Sequence, residues 1–284
     1  MTLAVVIVSW NVRDLLRKCL TALLADIERA GVVARVVVVD SASADQSAQM
    51  AQNEFASVET LACAENIGFV GGNNLAMQHL GLLGAGAKHA SGYTWLLNPD
   101  TEVQPGALKS LLDFMELHPR CGLCGPRLLN ADGSLQHGAF RFPGLIQLAL
   151  ETQRMLWRFR GTWLDGRYTP EAYTAGKPFR IGHPLGAAML ARNAAIKQVG
   201  GLDAAYEMYS EEVDWAMRMQ KAGWERWCVP GATVVHYGGA SSGQASERAE
   251  RIKWRSRRYY YVQHYSALQR WFAFRMIPAQ YRDA

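Results

Sequence analysis

Acidic residues and an imidazole recur at the ends of apolar runs in this chain. Asp40 closes Val36-Val37-Val38-Val39, Asn98-Pro99-Asp100 follows Tyr93–Leu97, and His236 follows Thr233-Val234-Val235. Ligands of open α/β sheets bind at the carboxyl ends of the strands. Two carboxylates and an imidazole at such ends suit a nucleotide with a hard divalent cation. Asp100 can ligate Mg²⁺ or Mn²⁺, ions that prefer oxygen and keep waters. Asn98 offers a carbonyl without charge, and His236 offers a metal ligand or a diphosphate contact. Glu211-Glu212-Val213-Asp214 supplies carboxylates for general-base work. Each piece also has a plainer reading. Asp40 and Ser41 could cap a turn, Asn98–Asp100 could be a Pro-containing turn, and His236 could be structural. Acids in a first helical turn complement the helix dipole. Three acids in four residues, beside Trp215 and after Tyr206-Glu207-Met208-Tyr209, exceed what capping requires.

A second constellation is Asn66-Ile67-Gly68-Phe69-Val70-Gly71-Gly72-Asn73-Asn74. Gly68, Gly71 and Gly72 let backbone approach a ligand closely. Asn73 and Asn74 are expected to open a helix, whose free N–H groups favour an anion. The pattern is neither a Walker loop nor GxGxxG, which argues against a P-loop or dinucleotide site. The Gly/Ser run 238–243 behind His236 adds a loop to that strand end.

These residues need a sheet to hold them. Strands are predicted at 3–8, 32–39, 58–61 and 93–97, and helices at 12–30, 44–55, 73–83 and 105–117. That alternation implies a Rossmann-like α/β fold, with a mostly parallel central sheet flanked by helices. Beyond Gly125 the rhythm changes. Residues 140–180 are rich in arginine and aromatics, and their apolar residues recur at helical intervals. A strand at 186–191, a helix at 193–199 and a helix at 211–222 follow. Ser210 is the expected N-cap and Gly223 the expected terminator. Two short strands, 224–229 and 232–235, precede the tail. The halves 1–125 and 126–245 are expected to share one sheet within one catalytic domain, 1–245, with a helical extension at 246–284.

Composition bounds the rest. At 284 residues and 49% hydrophobic, the chain can bury a large core. No stretch reaches the roughly 18 apolar residues of a membrane span, and the N-terminus has no basic region resembling a signal peptide. Five cysteines, an odd number, read as reduced thiols of a cytoplasmic protein. Cys121-Gly122-Leu123-Cys124 has no second pair to complete a zinc site and reads as small buried strand residues. Residues 247–284 hold nine Lys/Arg against three acids, more excess charge than the +5 of the whole chain. Trp254, Tyr259, Tyr260, Tyr261, Tyr265, Trp271 and Phe272 lie among them. Basic residues mixed with Trp and Tyr suit an anionic membrane surface. The competing reading is an aromatic stripe packed on the body. RNA binding ranks below both, so no nucleic-acid partner is expected.

In order and spacing these pieces resemble family 2 inverting glycosyltransferases of the GT-A fold, and more narrowly the bacterial rhamnosyltransferase-like branch. The resemblance rests on Val6-Ile7-Val8-Ser9-Trp10-Asn11, Val39–Asp45, Asn66–Asn74, Leu96–Asp100, Gly186–Leu190, Glu211–Trp215 and His236–Gly239, and spans residues 3–245. It implies a nucleotide-sugar donor, dTDP-rhamnose or a UDP-sugar. Ser9, Trp10, Asn11, Asp40 and Ser41 would lie around the nucleoside. Asn98-Pro99-Asp100 takes the place of the DxD motif, with Asp100 and His236 on Mg²⁺ or Mn²⁺. Glu212 stands where the catalytic base is expected, supported by Glu211 and Asp214. Two departures are visible: Asn98 replaces the usual first Asp, and Glu212 replaces the usual Asp. The implied acceptor is a glycan or polyprenyl-linked glycan, met in the cytoplasm with peripheral contact at the inner membrane face. A nucleotide-sugar-binding subunit without turnover is the competing class. A nucleotidyltransferase ranks low, because Ser9–Asp14 contains no glycine.

Overall fold

The computed structural model describes residues 3–84, 92–159, 163–238 and 247–282. The chain begins with β1 (Leu3–Ser9), α1 (Arg13–Ala30), β2 (Ala34–Asp40), α2 (Ser47–Glu54), β3 (Val58–Ala62), α3 (Gly68–His79) and β4 (Tyr93–Leu97). It continues with β5 (Thr101–Val103), α4 (Ala107–Leu117), β6 (Cys121–Leu129), β7 (Leu135–Gln136), β8 (Ala139–Phe140) and α5 (Leu145–Thr152). Next come α6 (Pro170–Thr174), β9 (Phe179–Arg180), β10 (His183–Pro184), β11 (Ala188–Arg192) and α7 (Asn193–Val199). The last elements are α8 (Glu211–Lys221), β12 (Glu225–His236), α9 (Glu247–His264) and α10 (Ala267–Met276).

The main sheet runs β3-β2-β1-β4-β11-β6-β12-β5. β1 pairs parallel with β2 and β4, and β2 with β3. β11 is antiparallel to β4 and β6, and β12 is parallel to β6. Strands from both halves of the chain therefore lie in one mixed sheet. Alternation along β1 explains its two covers. Leu3, Val5 and Ile7 face a core with Leu16, Leu20 and Leu23 of α1 and Leu108 and Leu111 of α4. Ala4 and Val6 face the opposite core, with Val70 and Ala76 of α3, Trp215 of α8 and Tyr260 of α9. Burial on both faces is why β1 reads as a continuous apolar run.

Four local expectations are corrected. α3 starts at Gly68, five residues earlier than expected, so Asn73 and Asn74 lie inside the helix rather than opening it. The expected strands 224–229 and 232–235 are one strand, β12, with a register irregularity between Val229 and Thr233. β5 is too short to stand out in sequence and is held by antiparallel pairing with β12. Ser210 precedes α8, but its side chain caps nothing. Gly223 does follow that helix, at φ +90°. Cys121 and Cys124 are buried within β6, and the five thiols are unpaired.

The aromatic tail packs on the body. Trp254, Tyr260 and Tyr261 are buried, Ser256 Oγ donates to Met208 O at 2.7 Å, and Tyr259 OH donates to Asp203 at 3.0 Å. Leu268, Trp271 and Phe272 of α10 remain exposed. Among the described residues no helix is long and apolar enough to cross a membrane.

Candidate active site

Strand register explains how distant residues meet. Ser9 pairs with Asp40 across β1 and β2, and β4 beside them leads into Asn98. On the far side, β5 and β12 pair His236 with Thr101, placing the imidazole beside Asp100. Between these strand ends lies a cavity of ≈ 350 Å³. Ser9, Trp10, Ser41, Asn66, Gly68 and Asn98 line one part of it, and Asp100, His236, Glu211 and Glu212 another.

Two buried polar atoms lie at the paired ends of β1 and β2. Ser9 Oγ and Asp40 Oδ1 are buried and have no hydrogen-bond partner among the described residues. Asp40 Oδ2 is committed, accepting from Ser43 N at 2.9 Å. Buried polar atoms are rarely left unpaired, so this pair fits a bound hydroxyl or base edge. Asn66 fixes the loop before α3, because its Oδ1 accepts from Ser41 Oγ at 3.0 Å and from Gly68 N at 2.9 Å. Gly68 has φ +66° and lines the cavity, so the start of α3 still faces the ligand space. Trp10, 42% exposed, stands at the mouth.

At the other end, His236 Nε2 lies 3.4 Å from Asp100 Oδ1. The tautomer follows from a polar chain. Asp132 accepts from Ser134 Oγ at 2.6 Å, Ser134 Oγ from Asn130 Nδ2 at 2.9 Å, and Asn130 Oδ1 from Gln136 Nε2 at 2.9 Å. Gln136 Oε1 must then accept from Nδ1–H of His236, at 2.7 Å. Nε2 is the ring nitrogen left to face Asp100. A ring nitrogen without another partner beside a carboxylate fits a hard divalent cation between them. Among the described residues no group of three or more His, Cys, Asp or Glu could enclose a metal. Two protein ligands suit an ion that completes its shell with phosphate and water.

Glu211 and Glu212 follow two non-glycine residues in left-handed conformation, Tyr209 (φ 67°) and Ser210 (φ 68°). Such strain persists where surrounding structure enforces it, often at functional sites. Both carboxylates keep one buried oxygen, Oε2, without a partner. Burial pushes both acids upward, and the neighbouring charge of Glu212 takes Glu211 to about 8. Arg257 of α9 pulls Glu212 the other way. Glu211 therefore holds its proton through neutral pH.

The stability consequence has a definite sign. The unfolded chain ionises Glu211 near its ordinary 4.5, whereas the fold holds the proton up to about 8. Stability is therefore fully present below pH 4.5 and falls as pH rises toward 8. Glu211→Gln removes that cost, on the order of 3 kcal/mol. Thermal melts should show little difference between wild type and variant at pH 4.5 and a higher Tm for the variant at pH 8.5. Equal melting at both pH values would contradict a buried, protonated Glu211.

Several expected site residues are placed elsewhere. Asn73 Nδ2 donates to Phe69 O within α3. Asn74 Nδ2 donates to Leu202 O at 2.7 Å and its Oδ1 accepts from Leu202 N, which fixes the 200-loop. Asp214 does not line this cavity. Burial pushes its carboxyl upward, but hydrogen bonds from His264 at 2.7 Å and Arg218 at 2.7 Å outweigh that and hold it below its ordinary value. Asp214 thus ties α8 to the tail. Gly71 lies within α3, where a Cβ would press on Ile67. Asn11 (φ 54°) accepts from Ala44 N at 2.7 Å and joins the end of β1 to the loop after β2, outside the cavity. The Gly/Ser run behind His236 lies beyond the described residues from 239 onward. Sequence reading missed Gln136, Leu185, Tyr209 and Arg257. Only Tyr209 had a signal, its place in the aromatic run before the acids.

The profile of the family described as "Glycosyltransferase like family 2" matches residues 2–260. The chain belongs to this family. It is a glycosyltransferase, and its fold is GT-A. It is 31% identical over 244 residues to the N-acetylglucosaminyl-diphospho-decaprenol L-rhamnosyltransferase of Mycobacterium tuberculosis, covering 85% of this chain and 78% of that one. Among solved structures it is similar to GalNAc-T7 with UDP, GalNAc and Mn²⁺, at a TM-score of 0.60 and 16% identity. That match covers 83% of this chain and 44% of the longer protein. It is also similar to residues 1–349 of Staphylococcus aureus TarS with UDP-GlcNAc, at a TM-score of 0.59 and 14% identity over 99% of this chain and 71% of that one.

Proposed function

We propose that this glycosyltransferase moves rhamnose from dTDP-rhamnose to a polyprenyl diphosphate-linked N-acetylglucosamine, inverting the anomeric centre. One observation carries the reading. Glu212 lines the cavity of Asp100 and His236 and also a second cavity of ≈ 550 Å³ beside it. A base on the wall between two cavities can reach an acceptor hydroxyl in one while the donor occupies the other. The name of the mycobacterial relative supports the sugar and the acceptor class.

In this mechanism Ser9 and Asp40 hold the nucleoside and Trp10 closes over it. Glu212 accepts the proton of the acceptor hydroxyl as the oxygen attacks the anomeric carbon opposite the diphosphate. Asp100 and His236 would hold Mg²⁺ or Mn²⁺, and the ion would supply charge to offset that developing on the leaving diphosphate. The test is transfer from dTDP-rhamnose or a UDP-sugar to a synthetic prenyl-diphospho-N-acetylglucosamine, with Mn²⁺, Mg²⁺ or EDTA, read by mass spectrometry. A rhamnosylated lipid formed only from the dTDP donor supports the reading. Donor binding without transfer to any acceptor overturns it in favour of a binding subunit.

A lipid-linked acceptor also requires contact with the membrane face. Leu268, Trp271 and Phe272 are exposed on α10, and Ile146 and Met155 are exposed on and just after α5, which packs against it. Arg270 and Arg275 flank the aromatic pair. Apolar residues ringed by arginine suit an anionic bilayer surface. Replacing Leu268, Trp271 and Phe272 together by serine should reduce flotation with phosphatidylglycerol vesicles several-fold. Unchanged flotation would count against this face.

A further inference from the structure

We infer that the second cavity is a diphosphate site for the acceptor, with Arg141 and Arg257 as its anion contacts. This rests on the transfer reading above and assigns the acceptor's charged group a place. The cavity lies between α5, the segment 165–167 and α9, and it meets the donor cavity at Leu185, Tyr209 and Glu212. Among the described residues four cationic side chains line it: Arg141, Arg167, Lys253 and Arg257.

Three of the four have a carboxylate within ion-pair distance: Lys253 Nζ lies 2.8 Å and Arg257 Nη2 3.7 Å from Glu151, and Arg167 lies 4.0 Å from Asp165. Arg257 still has a donor to spare, because its Nε is buried with no hydrogen-bond partner among the described residues. The Arg141 guanidinium lies 5.2 Å from the centre of the Tyr168 ring and forms no ion pair among the described residues. An orphaned guanidinium N–H beside a cavity is costly unless the ligand supplies the acceptor. Guanidinium groups match phosphate oxygens in geometry and charge. A neutral sugar would need neither group.

Two diphosphates take part in the proposed reaction, and geometry separates them. The donor's belongs beside Asp100 and His236, across Glu212 from this cavity. The acceptor sugar must sit at Glu212 with its own diphosphate behind it, which is the direction of Arg257 and Arg141. Beyond them α5 carries Ile146, 58% exposed, on the way to the apolar face of α10. A prenyl chain leaving the diphosphate has a path to the bilayer along that face.

The experiment compares wild type with Arg141→Gln and Arg257→Gln in two assays. Calorimetry with farnesyl diphosphate and with dTDP reads the two cavities separately. Kinetics with a prenyl-diphospho-N-acetylglucosamine and with an alkyl N-acetylglucosaminide lacking phosphate reads the acceptor. Arg141→Gln should weaken farnesyl diphosphate binding and raise KM for the diphosphate acceptor by about tenfold to a hundredfold. Its kcat and dTDP affinity should stay within twofold, and its KM for the phosphate-free glycoside should not change. Arg141→Lys should recover part of the loss. Unchanged farnesyl diphosphate affinity in both variants would overturn the assignment, as would an equal loss of dTDP binding. If wild type transfers sugar to no lipid diphosphate, the transfer reading fails, and the calorimetric arm still decides whether the cavity binds a prenyl diphosphate.

Discussion

Glu212→Gln should lower kcat by about 10³-fold while dTDP affinity stays within twofold of wild type. The substitution keeps shape and removes only the charge and the basic lone pair. Leu185, Tyr209 and Glu212 border both cavities, and of these three only Glu212 carries a carboxylate. Glu211 is the nearest competitor, but burial and the charge on Glu212 leave it protonated up to about 8. A protonated acid cannot receive the acceptor's proton. Glu211→Gln should therefore cost far less, about tenfold, because glutamine resembles the neutral carboxyl already present. Wild-type kcat/KM should rise with pH through an apparent value above that of an ordinary glutamate, since burial raises both acids. Steady-state kinetics and nucleotide calorimetry on both variants decide the matter. Near-normal turnover by Glu212→Gln, or a larger loss in Glu211→Gln, would remove Glu212 from the base position.

How much of this site could be read in the sequence depends on the range of the interaction that built it. Asp40, Asn98, Asp100 and His236 stand at the ends of strands with strong apolar patterns, and parallel topology sends those ends to one edge. The Asn66–Asn74 run was misread because its glycines serve two purposes. Gly68 takes a positive φ at the cavity, whereas a Cβ on Gly72 would lie 2.7 Å from Val8 Cγ1. Gly72 is therefore required for close helix-to-strand packing. That packing overrides the poor helix propensity of three glycines and starts α3 before the asparagines. Asp214 carried the same local signal as Glu212. What separates them is the partner each meets, and Asp214 meets His264, fifty residues further along. Gln136 and Arg257 carry no local pattern. Gln136 reaches His236 across a hundred residues, and Arg257 reaches the cavity because Tyr260 of the same helix is buried in the main core. The tail, for which membrane contact and packing on the body were competing readings, thus completes the body, and deleting it would expose core rather than test membrane contact.

Asp100→Asn should abolish the metal-dependent part of nucleotide binding. For wild type, dTDP should bind about 10²-fold more tightly with Mn²⁺ than with EDTA, and for Asp100→Asn the two affinities should coincide. The asparagine keeps an oxygen but loses the charge that holds a hard cation. Because Asn98 already lacks charge, Asp100 is the only carboxylate of the Asn98-Pro99-Asp100 segment. His236→Ala should give a similar loss from the opposite side of the 3.4 Å gap. Gln136→Leu supplies a graded control. It leaves both ligands in place but removes the acceptor that holds Nδ1–H, so Nε2 is no longer fixed as the bare nitrogen. Its Mn²⁺ affinity should fall about tenfold, the usual scale for losing a group that orients a histidine ligand. The three variants therefore order themselves by direct ligation and orientation. dTDP binding that is equally tight in EDTA and Mn²⁺ for wild type would show that Asp100 and His236 hold no metal at all. The 3.4 Å contact would then be a direct one between imidazole and carboxylate, and Gln136→Leu would leave nucleotide affinity unchanged.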